Sequence, residues 1–137
     1  MSMYCEVKTQ FKDQEALVEA LMETGKWRAD QIEVYIYPKH LFGYHGDERP
    51  QVAHVIVRRA HVGRSSNDIG FERLPDGTFQ AHISKFDHNK YGSNWVNTLK
   101  RNYAFHATTR QQTRLGRRLT RERLPDGRQL VRVIGYR

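Results

Sequence analysis

The sequence predicts an α+β fold, with an antiparallel sheet that carries two helices on one face and an arginine-rich hairpin at the end of the chain. Three observations support this prediction. Several segments alternate apolar and polar residues as strands do, and two others repeat apolar residues at the helical period. In addition, the hexapeptide Glu-Arg-Leu-Pro-Asp-Gly occurs twice, at 72–77 and 122–127. With 137 residues, of which 38% are hydrophobic, we expect one domain with a modest core in residues 1–116 and a basic hairpin in residues 117–137.

The N-terminal segment predicts a strand followed by a helix. Residues 4–11 alternate in character, Asp13 is a suitable N-cap, and Gly25 is placed to end a helix whose apolar residues recur at the helical period. Three glutamates, Glu15, Glu19 and Glu23, follow one another at four-residue spacing on the other side of that helix. We interpret this acidic stripe as a solvated face, with docking of a cationic partner as the alternative.

Two further strands are predicted in the middle of the chain. One covers residues 32–38 and ends at a proline, and the other covers residues 52–62. The intervening residues 39–50, rich in glycine, histidine and aromatic residues, are expected to form a loop, and residues 63–67 a flexible connector.

Each copy of the repeated hexapeptide is predicted to be the tip of a β-hairpin. Leu-Pro-Asp-Gly suits a type I turn, because proline fixes the first corner and glycine accepts a positive φ. In the first hairpin the apolar residues fall on one face, namely Ile69, Phe71, Phe79, Ala81 and Ile83. Duplication of a unit and convergence on the same turn chemistry both remain open as origins of the repeat.

The second hairpin has no clean apolar face. If Leu124 lies opposite Arg128, the following pairs face one another: Arg123 and Gln129, Glu122 and Leu130, Arg121 and Val131, and Leu119 and Val133. Arginines then project from both faces. Such a ribbon is more compatible with an exposed edge or arm than with the centre of a sheet.

A long helix is predicted between the two hairpins. Ser93 can cap it, Gly116 follows its last residue at Leu115, and its apolar side carries Trp95, Leu99, Tyr103 and His106. Together with the first helix, it gives the sheet two helices on one face, which suggests a ferredoxin-like arrangement.

Charge is distributed very unevenly along the chain. Residues 1–100 contain 13 basic and 13 acidic residues, whereas residues 101–137 contain ten arginines, no lysine, and only Glu122 and Asp126 as acidic residues. The net charge of +8 therefore resides entirely in the last part of the chain. A neutral body with one cationic end predicts contact with a phosphate backbone or with an acidic protein surface.

Arginine is well suited to phosphate, because its planar guanidinium can hold two oxygens at once and can stack on a base. The sequence thus predicts a non-enzymatic module that binds RNA or a ribonucleoprotein through the C-terminal ribbon. The candidate phosphate-binding residues are Arg110, Arg114, Arg117, Arg118, Arg121, Arg123, Arg128 and Arg132. Tyr35 and Tyr37, opposite the apolar face of their strand, are candidates for base stacking. If six arginines contact phosphate, log affinity should fall against log salt with a slope of about −4 to −5.

Two alternatives belong to other functional classes. The first is an adaptor or inhibitor, such as a phage-encoded effector, that binds an acidic face of a larger protein. The second is a metal-independent ribonuclease, in which His106 and Tyr103, with Arg110 and Tyr136, would supply acid, base and cation. The seven histidines show no metal-ligand spacing and no nucleotide-binding glycine motif is present, so we expect neither a metal nor a cofactor.

The sequence also predicts where the protein works. No apolar run approaches the length needed to cross a membrane, the first residues do not resemble a secretory leader, and Cys5 has no partner for an internal disulfide. We therefore expect a cytoplasmic protein without a membrane partner.

Three segments, at residues 4–13, 68–78 and 103–106, resemble those of a small family of conserved open reading frames from cyanobacteria, algal plastids, other bacteria and phages. The opening Tyr-Cys-Glu-Val-Lys-Thr-Gln-Phe-Lys-Asp at 4–13 is similar to the start of that family. Asp-Ile-Gly-Phe at 68–71 with Asp-Gly-Thr at 76–78 resembles its first hairpin, and Tyr-Ala-Phe-His at 103–106 resembles its long helix. The resemblance implies an α+β fold and carries over no functional residue, since the family has no established activity. The arginine density after residue 110 departs from the family's pattern.

Overall fold

A computed structural model describes residues 3–135, which form a five-stranded sheet, four α-helices and a separate two-stranded ribbon. The strands and helices, in chain order, are β1 (Tyr4–Lys8), α1 (Gln14–Gly25), β2 (Ile32–Phe42), β3 (Glu48–Val57), α2 (Arg59–Val62), β4 (Ile69–Arg73), β5 (Phe79–Ser84), α3 (His88–Tyr91), α4 (Ser93–Arg114), β6 (Arg117–Arg123) and β7 (Gln129–Gly135). The large sheet is antiparallel, in the order β1-β5-β4-β3-β2. The predicted α+β class, with its C-terminal hairpin, is confirmed.

The main core lies between one face of the sheet and the helices α1 and α4. The apolar side of α1 contributes Leu17 and Leu21, and α4 contributes Val96 and Leu99. The sheet contributes the apolar residues predicted for the first hairpin, which are Ile69, Phe71, Phe79, Ala81 and Ile83. The alternation of these residues along β4 and β5 directs them all to the helical side, as predicted.

The opposite face of the sheet is partly covered by the β2–β3 hairpin. Leu41, Ala53 and Ile56 form a small buried cluster there, against which Tyr4 and Tyr35 pack. Gly70 permits this close packing, because a Cβ at that position would lie 2.6 Å from Cβ of Ala53. The hairpin is therefore folded back over the sheet.

Asp68 joins this hairpin to the rest of the chain. Its buried carboxylate accepts hydrogen bonds from the main-chain N–H of Phe42 at 2.7 Å and of Arg59 at 2.6 Å, and from the Arg58 guanidinium at 2.9 Å. Its carbonyl oxygen accepts a hydrogen bond from the Tyr4 hydroxyl at 2.6 Å. Burial, followed by the nearby Asp68 charge, raises the pKa of Tyr4 well above its usual value.

Two strand boundaries differ from the prediction. β2 continues past Pro38 to Phe42, because a bulge between Val34 and Lys39 removes the need for a main-chain donor at the proline. The third strand covers 48–57 instead of 52–62, since the Asp68 carboxylate accepts the N–H of Arg59 and supports a helical turn, α2. That turn buries Val62 in the main core.

The helix ends also differ in detail. Gly25 is the last residue of α1, and Lys26 takes the left-handed conformation, with a φ of 59°. Gly25 is required for another reason: a Cβ there would lie 2.3 Å from the ring of Trp27. At the start of α4, Gly92 occupies the N-cap position in place of the predicted Ser93. The predicted cap Asp13 does cap α1, accepting the N–H of Ala16.

Candidate nucleic-acid interface

Residues 117–135, which we call the ribbon, form a two-stranded sheet of their own. The register predicted from the sequence is confirmed: Leu119 pairs with Val133, Arg121 with Val131 and Arg123 with Gln129. Leu119 is buried, whereas Arg118 and Arg132 are exposed. Since side chains alternate between the faces of a strand, the ribbon has an inner face turned to α4 and an outer face turned to solvent.

Arg121 fastens the inner face of the ribbon to the helices. Its Nη2 lies 3.0 Å from Oε2 of Glu23 on α1, and its Nη1 donates to Oδ1 of Asn102 on α4 at 3.3 Å. The guanidinium carbon also lies 3.9 Å from the centre of the Phe105 ring, close enough for a cation–π contact. Arg121 is therefore occupied within the molecule.

The Arg110 side chain is held in the same way. Its Nε lies 3.0 Å from Oδ2 of Asp13, it forms an ion pair with Glu15, and its Nη1 lies 3.5 Å from Oε1 of Glu19. This arginine is surrounded by the N-terminal half of α1. Two of the eight arginines predicted to contact phosphate are thus engaged internally.

These contacts correct the interpretation of the acidic stripe on α1. The sequence predicted a solvated face at Glu15, Glu19 and Glu23, but all three glutamates form ion pairs with side chains of α4 or the ribbon. The alternative, docking of a cationic partner, stays a prediction, because the side chains that pair with these glutamates belong to the same chain. The four-residue spacing places these glutamates on one side of the helix, but it does not determine whether that side faces water or arginine.

Glu23 is the point where the ribbon, α1 and α4 meet. Its carboxylate pairs with Arg121 and, through Oε1, with Nε2 of His106 at 2.8 Å. Partial burial acts to raise the pKa of Glu23, but the hydrogen bonds from His106 and Arg121 outweigh it and hold the pKa below its usual value. The carboxylate is therefore charged at neutral pH and keeps the ribbon attached.

The remaining candidate arginines are not held by acidic groups of the body. Of the eight candidates, five are exposed and form no ion pair with a carboxylate of residues 3–135, namely Arg114, Arg117, Arg118, Arg123 and Arg132. Arg117 donates a hydrogen bond to the Gln112 side chain. Arg128 pairs with Asp126 beside it in the turn and remains 77% exposed.

Arg118 and Arg132 are the centre of the cationic surface on the outer face. Arg118 pairs with Ile134, and Arg132 pairs with Thr120, so the two arginines are diagonal neighbours on adjacent strands. Diagonal positions of this kind are roughly 7–8 Å apart, within reach of long side chains. The outer face thus carries Arg118 and Arg132 on adjacent strands, with Ile134 opposite Arg118, and nearer the turn it carries Leu130 opposite the exposed Glu122.

Arg101 also belongs to this region, although the sequence analysis did not select it. Its carbonyl oxygen accepts a hydrogen bond from Gln129 of the ribbon at 3.4 Å, and its side chain donates to Thr98. The pairing of Arg123 with Gln129 brings Arg123 close to this helix position. Arg101 could have been selected because it belongs to the basic segment 101–137. Helical spacing alone, however, does not show that this position faces the ribbon.

The two tyrosines predicted to stack bases lie in a different sheet. Tyr35 packs on the Leu41 cluster, and its hydroxyl donates to Glu33. Tyr37 is 79% exposed on the bulge of β2. The structure therefore leaves Tyr37 accessible and places Tyr35 partly in the core, without bringing either into the ribbon.

The residues proposed for a ribonuclease are brought together by α1 and α4, but they are engaged in structural contacts. The Tyr103 hydroxyl accepts the main-chain N–H groups of Lys12 and Asp13, both at 2.9 Å. His106 lies between Glu19 and Glu23, and Arg110 is paired as described above. Tyr136 lies outside the described residues. This arrangement fastens the two helices together.

Two further findings concern metals and membranes. Within residues 3–135, no group of three or more histidine, cysteine, aspartate or glutamate side chains is arranged to hold a metal ion. In the same part of the chain, no helix combines the length and the apolar character required to cross a bilayer.

The comparisons with known proteins give no match. Neither a protein-family model, nor a curated protein, nor a solved structure is similar to this chain. The resemblance to conserved open reading frames therefore stays a prediction.

Proposed function

We propose that this protein is a non-enzymatic module that binds RNA or a nucleoprotein through the ribbon. The observation that carries this proposal is the division among the arginines. Arg110 pairs α4 with α1, and Arg121 pairs the ribbon with α1. Five exposed candidates have no carboxylate partner in residues 3–135, and they are Arg114, Arg117, Arg118, Arg123 and Arg132. The ribbon is thus held in place by some arginines and offers the others to a ligand.

The chemistry of the exposed set favours phosphate. Each guanidinium can donate two parallel hydrogen bonds to a phosphate and keeps its charge at every physiological pH. Arg118 and Arg132 lie on the outer face of the ribbon, Arg117 and Arg123 alternate to the face that carries Leu119, and Arg114 lies at the end of α4. All five are exposed, so a backbone of regularly spaced phosphates that passes around the ribbon can contact several of them at once. We expect binding that depends on backbone charge more than on base sequence.

Salt dependence tests this proposal directly. Filter binding should be measured over a range of salt concentrations with a labelled RNA hairpin, a single-stranded RNA and a DNA duplex. Five phosphate contacts predict a log–log slope of about −3.5 for the single strand and about −4.5 for a duplex. The variant Arg118→Gln/Arg132→Gln should weaken binding by at least about tenfold and reduce the magnitude of the slope by about 2.

A matched control removes two cations from the body. Arg64 and Lys85 are exposed and lie outside the ribbon, so Arg64→Gln/Lys85→Gln changes the net charge by the same amount. This variant should bind RNA within about twofold of the unmodified protein, because only its long-range attraction is reduced. Equal losses in both double variants would show that net charge, and not the ribbon, governs binding, and would contradict the proposal.

A second candidate function is supported by the aliphatic residues of the ribbon. Val133 is 52% exposed, and Leu130 and Ile134 are also exposed beside the arginines. Apolar residues bordered by arginine are typical of protein interfaces. An adaptor that binds an acidic protein surface predicts a complex that resists nuclease and is lost in Leu130→Ser/Ile134→Ser. RNA binding that survives this double substitution would favour the nucleic-acid function.

A further inference from the structure

The strand β1 has one free edge in the described part of the chain. It forms one end of the five-stranded sheet and pairs with β5 alone. The carbonyl oxygen of Met3 accepts the N–H of Lys85, so the odd-numbered residues direct their main-chain groups to β5. Because these groups alternate along a strand, Tyr4, Glu6 and Lys8 direct their N–H and C=O groups to the other edge. Within residues 3–135, no other strand satisfies them.

A groove runs along this edge, between β1 and α4. It consists of two depressions of about 170 and 380 Å³ that share Lys100. Val7 of β1 and Val96 of α4 line the first, and Tyr103 and Ala104 of α4 line the second. The groove therefore has apolar walls on the side where an added strand would place every second side chain.

The charged groups at this groove are mainly cations. Lys8 and Lys100 line it, and both are exposed. The nearest acidic residue of the strand, Glu6, is engaged with the Gln80 side chain on the opposite face of the sheet. Asp76, near Lys8 in the first hairpin turn, accepts hydrogen bonds from Thr78. Cations therefore border the edge on both faces of the sheet, with Lys100 on the groove side and Lys8, which alternates with Val7, on the other side.

The other end of the sheet is built differently. The edge strand β2 carries a bulge over residues 35–38 and a proline, Pro38, which has no N–H to donate. Bulges and prolines protect edge strands from pairing with other chains. β1 has neither device, and its register with β5 is continuous from Tyr4 to Lys8.

We propose that the β1 edge accepts an extended peptide in which apolar residues alternate with Asp or Glu. The peptide would add a sixth strand to the sheet, placing its apolar side chains in the groove beside Val7 and its carboxylates on the other face of the sheet, beside Lys8. Main-chain hydrogen bonds to Tyr4, Glu6 and Lys8 would supply affinity, and the groove would supply selectivity. This inference is independent of the ribbon.

The test uses an acetylated, amidated eight-residue peptide of alternating Val and Glu, titrated by calorimetry. The decisive variant is Glu6→Pro, which removes a donor on the free edge without removing a hydrogen bond to β5. It should reduce affinity at least about tenfold, whereas Glu6→Ala, which keeps the main-chain N–H, should bind nearly as well as the unmodified protein. Circular dichroism checks that both variants fold.

A second measurement holds even if Glu6→Pro fails to fold. This measurement alters the peptide and leaves the protein unchanged. Two peptides are made, one N-methylated at the odd-numbered residues and the other at the even-numbered residues. Only one of these two sets of N–H groups faces β1, so one peptide should lose binding and the other should keep it. Lys8→Glu, which keeps the main-chain groups of the edge, should also weaken binding, while Lys85→Glu, at an exposed site outside the groove, should not. The Arg118→Gln/Arg132→Gln protein should bind the peptide normally, so failure here is distinguishable from failure of the RNA proposal.

Several outcomes would overturn the inference. If a peptide of alternating Val and Lys binds as tightly as the Val–Glu peptide, charge does not contribute to recognition. If both N-methylated peptides bind as well as the unmodified peptide, binding does not involve strand addition. Loss of peptide binding in Arg118→Gln/Arg132→Gln would place the peptide on the ribbon. If sedimentation shows a dimer that Glu6→Pro dissociates, and the peptide does not bind, a second copy of the chain occupies the edge instead.

Discussion

The two hairpins that share the hexapeptide Glu-Arg-Leu-Pro-Asp-Gly have the same tip in very different surroundings. Gly77 and Gly127 have φ values of 88° and 89°, and Leu74 and Leu124 each donate to the carbonyl four residues later at 2.8 Å. The tips are thus nearly superposable in their main-chain contacts. Yet β4 and β5 lie within the main sheet, whereas β6 and β7 form a ribbon on the outside of α4.

The flanking residues account for this difference. Counting from the repeat, Phe71 in the first hairpin corresponds to Arg121 in the second, and Phe79 corresponds to Gln129. Phe71 and Phe79 are completely buried, whereas Arg121 is held by an ion pair and a ring contact. Turn chemistry therefore determines the local geometry of a hairpin, and the residues two or three positions away determine whether it joins a core.

The largest expected difference between the hairpins concerns this corresponding pair. Phe71→Ala should lower the free energy of unfolding by about 3–5 kcal/mol, because it leaves a cavity in the main core. Arg121→Ala should cost about 1 kcal/mol, since it removes a partly exposed ion pair and a cation–π contact. Urea unfolding followed by circular dichroism measures both. Similar losses would mean that the ribbon belongs to the same cooperative core.

The two turn glycines give a smaller and more closely matched comparison. An added Cβ has open space at Gly77 and at Gly127, so Ala at either position costs only the strain of a positive φ, about 1–2 kcal/mol. Gly77→Ala should reduce global stability by that amount. Gly127→Ala should instead reduce hydrogen-exchange protection in the ribbon and leave global stability nearly unchanged. Equal effects on global stability would contradict the separation of the two hairpins.

The smallest expected effect is a dependence of ribbon attachment on acidity. The folded pKa of Glu23 lies below its ordinary value of 4.5, so its contribution is complete above that value and is lost as the pH falls through the folded pKa. NMR shifts of the Leu119 and Arg121 amides should follow this transition below pH 4.5, while the Phe71 amide should not. In Glu23→Gln the transition should be absent; its persistence there would exclude Glu23 as the group responsible.

Local features of the fold could be predicted from the sequence. The turn at 74–77 and the register of β6 with β7 follow from residues that are close together in the chain, and the apolar alternation in β4 and β5 assigns their faces. The short helix α2 was missed because the alternation of β3 continues through it. The position of α2 depends on the hydrogen bond from the N–H of Arg59 to the Asp68 carboxylate. If residues 52–62 formed one continuous strand, as predicted, these two residues would lie far apart.

The candidate site was predictable in charge but not in partners. Ten arginines in residues 101–137 indicate an anionic ligand, yet the sequence does not show which of them meet Asp13, Glu19 or Glu23 more than 80 positions away. Long-range ion pairs leave no periodic pattern. The free edge of β1 was also not predictable, since strand order depends on packing across the whole sheet.

The arrangement of aromatic rings at one end of the body has a practical consequence. Both tryptophans of the chain, Trp27 and Trp95, lie 6.0 Å apart between ring centres, with Tyr91 packed against each. Trp27 is buried and donates its indole N–H to the carbonyl of His61. The intrinsic emission of the protein should therefore shift when this body melts and stay constant when the ribbon detaches, so the molecule carries an optical reporter that separates the two events.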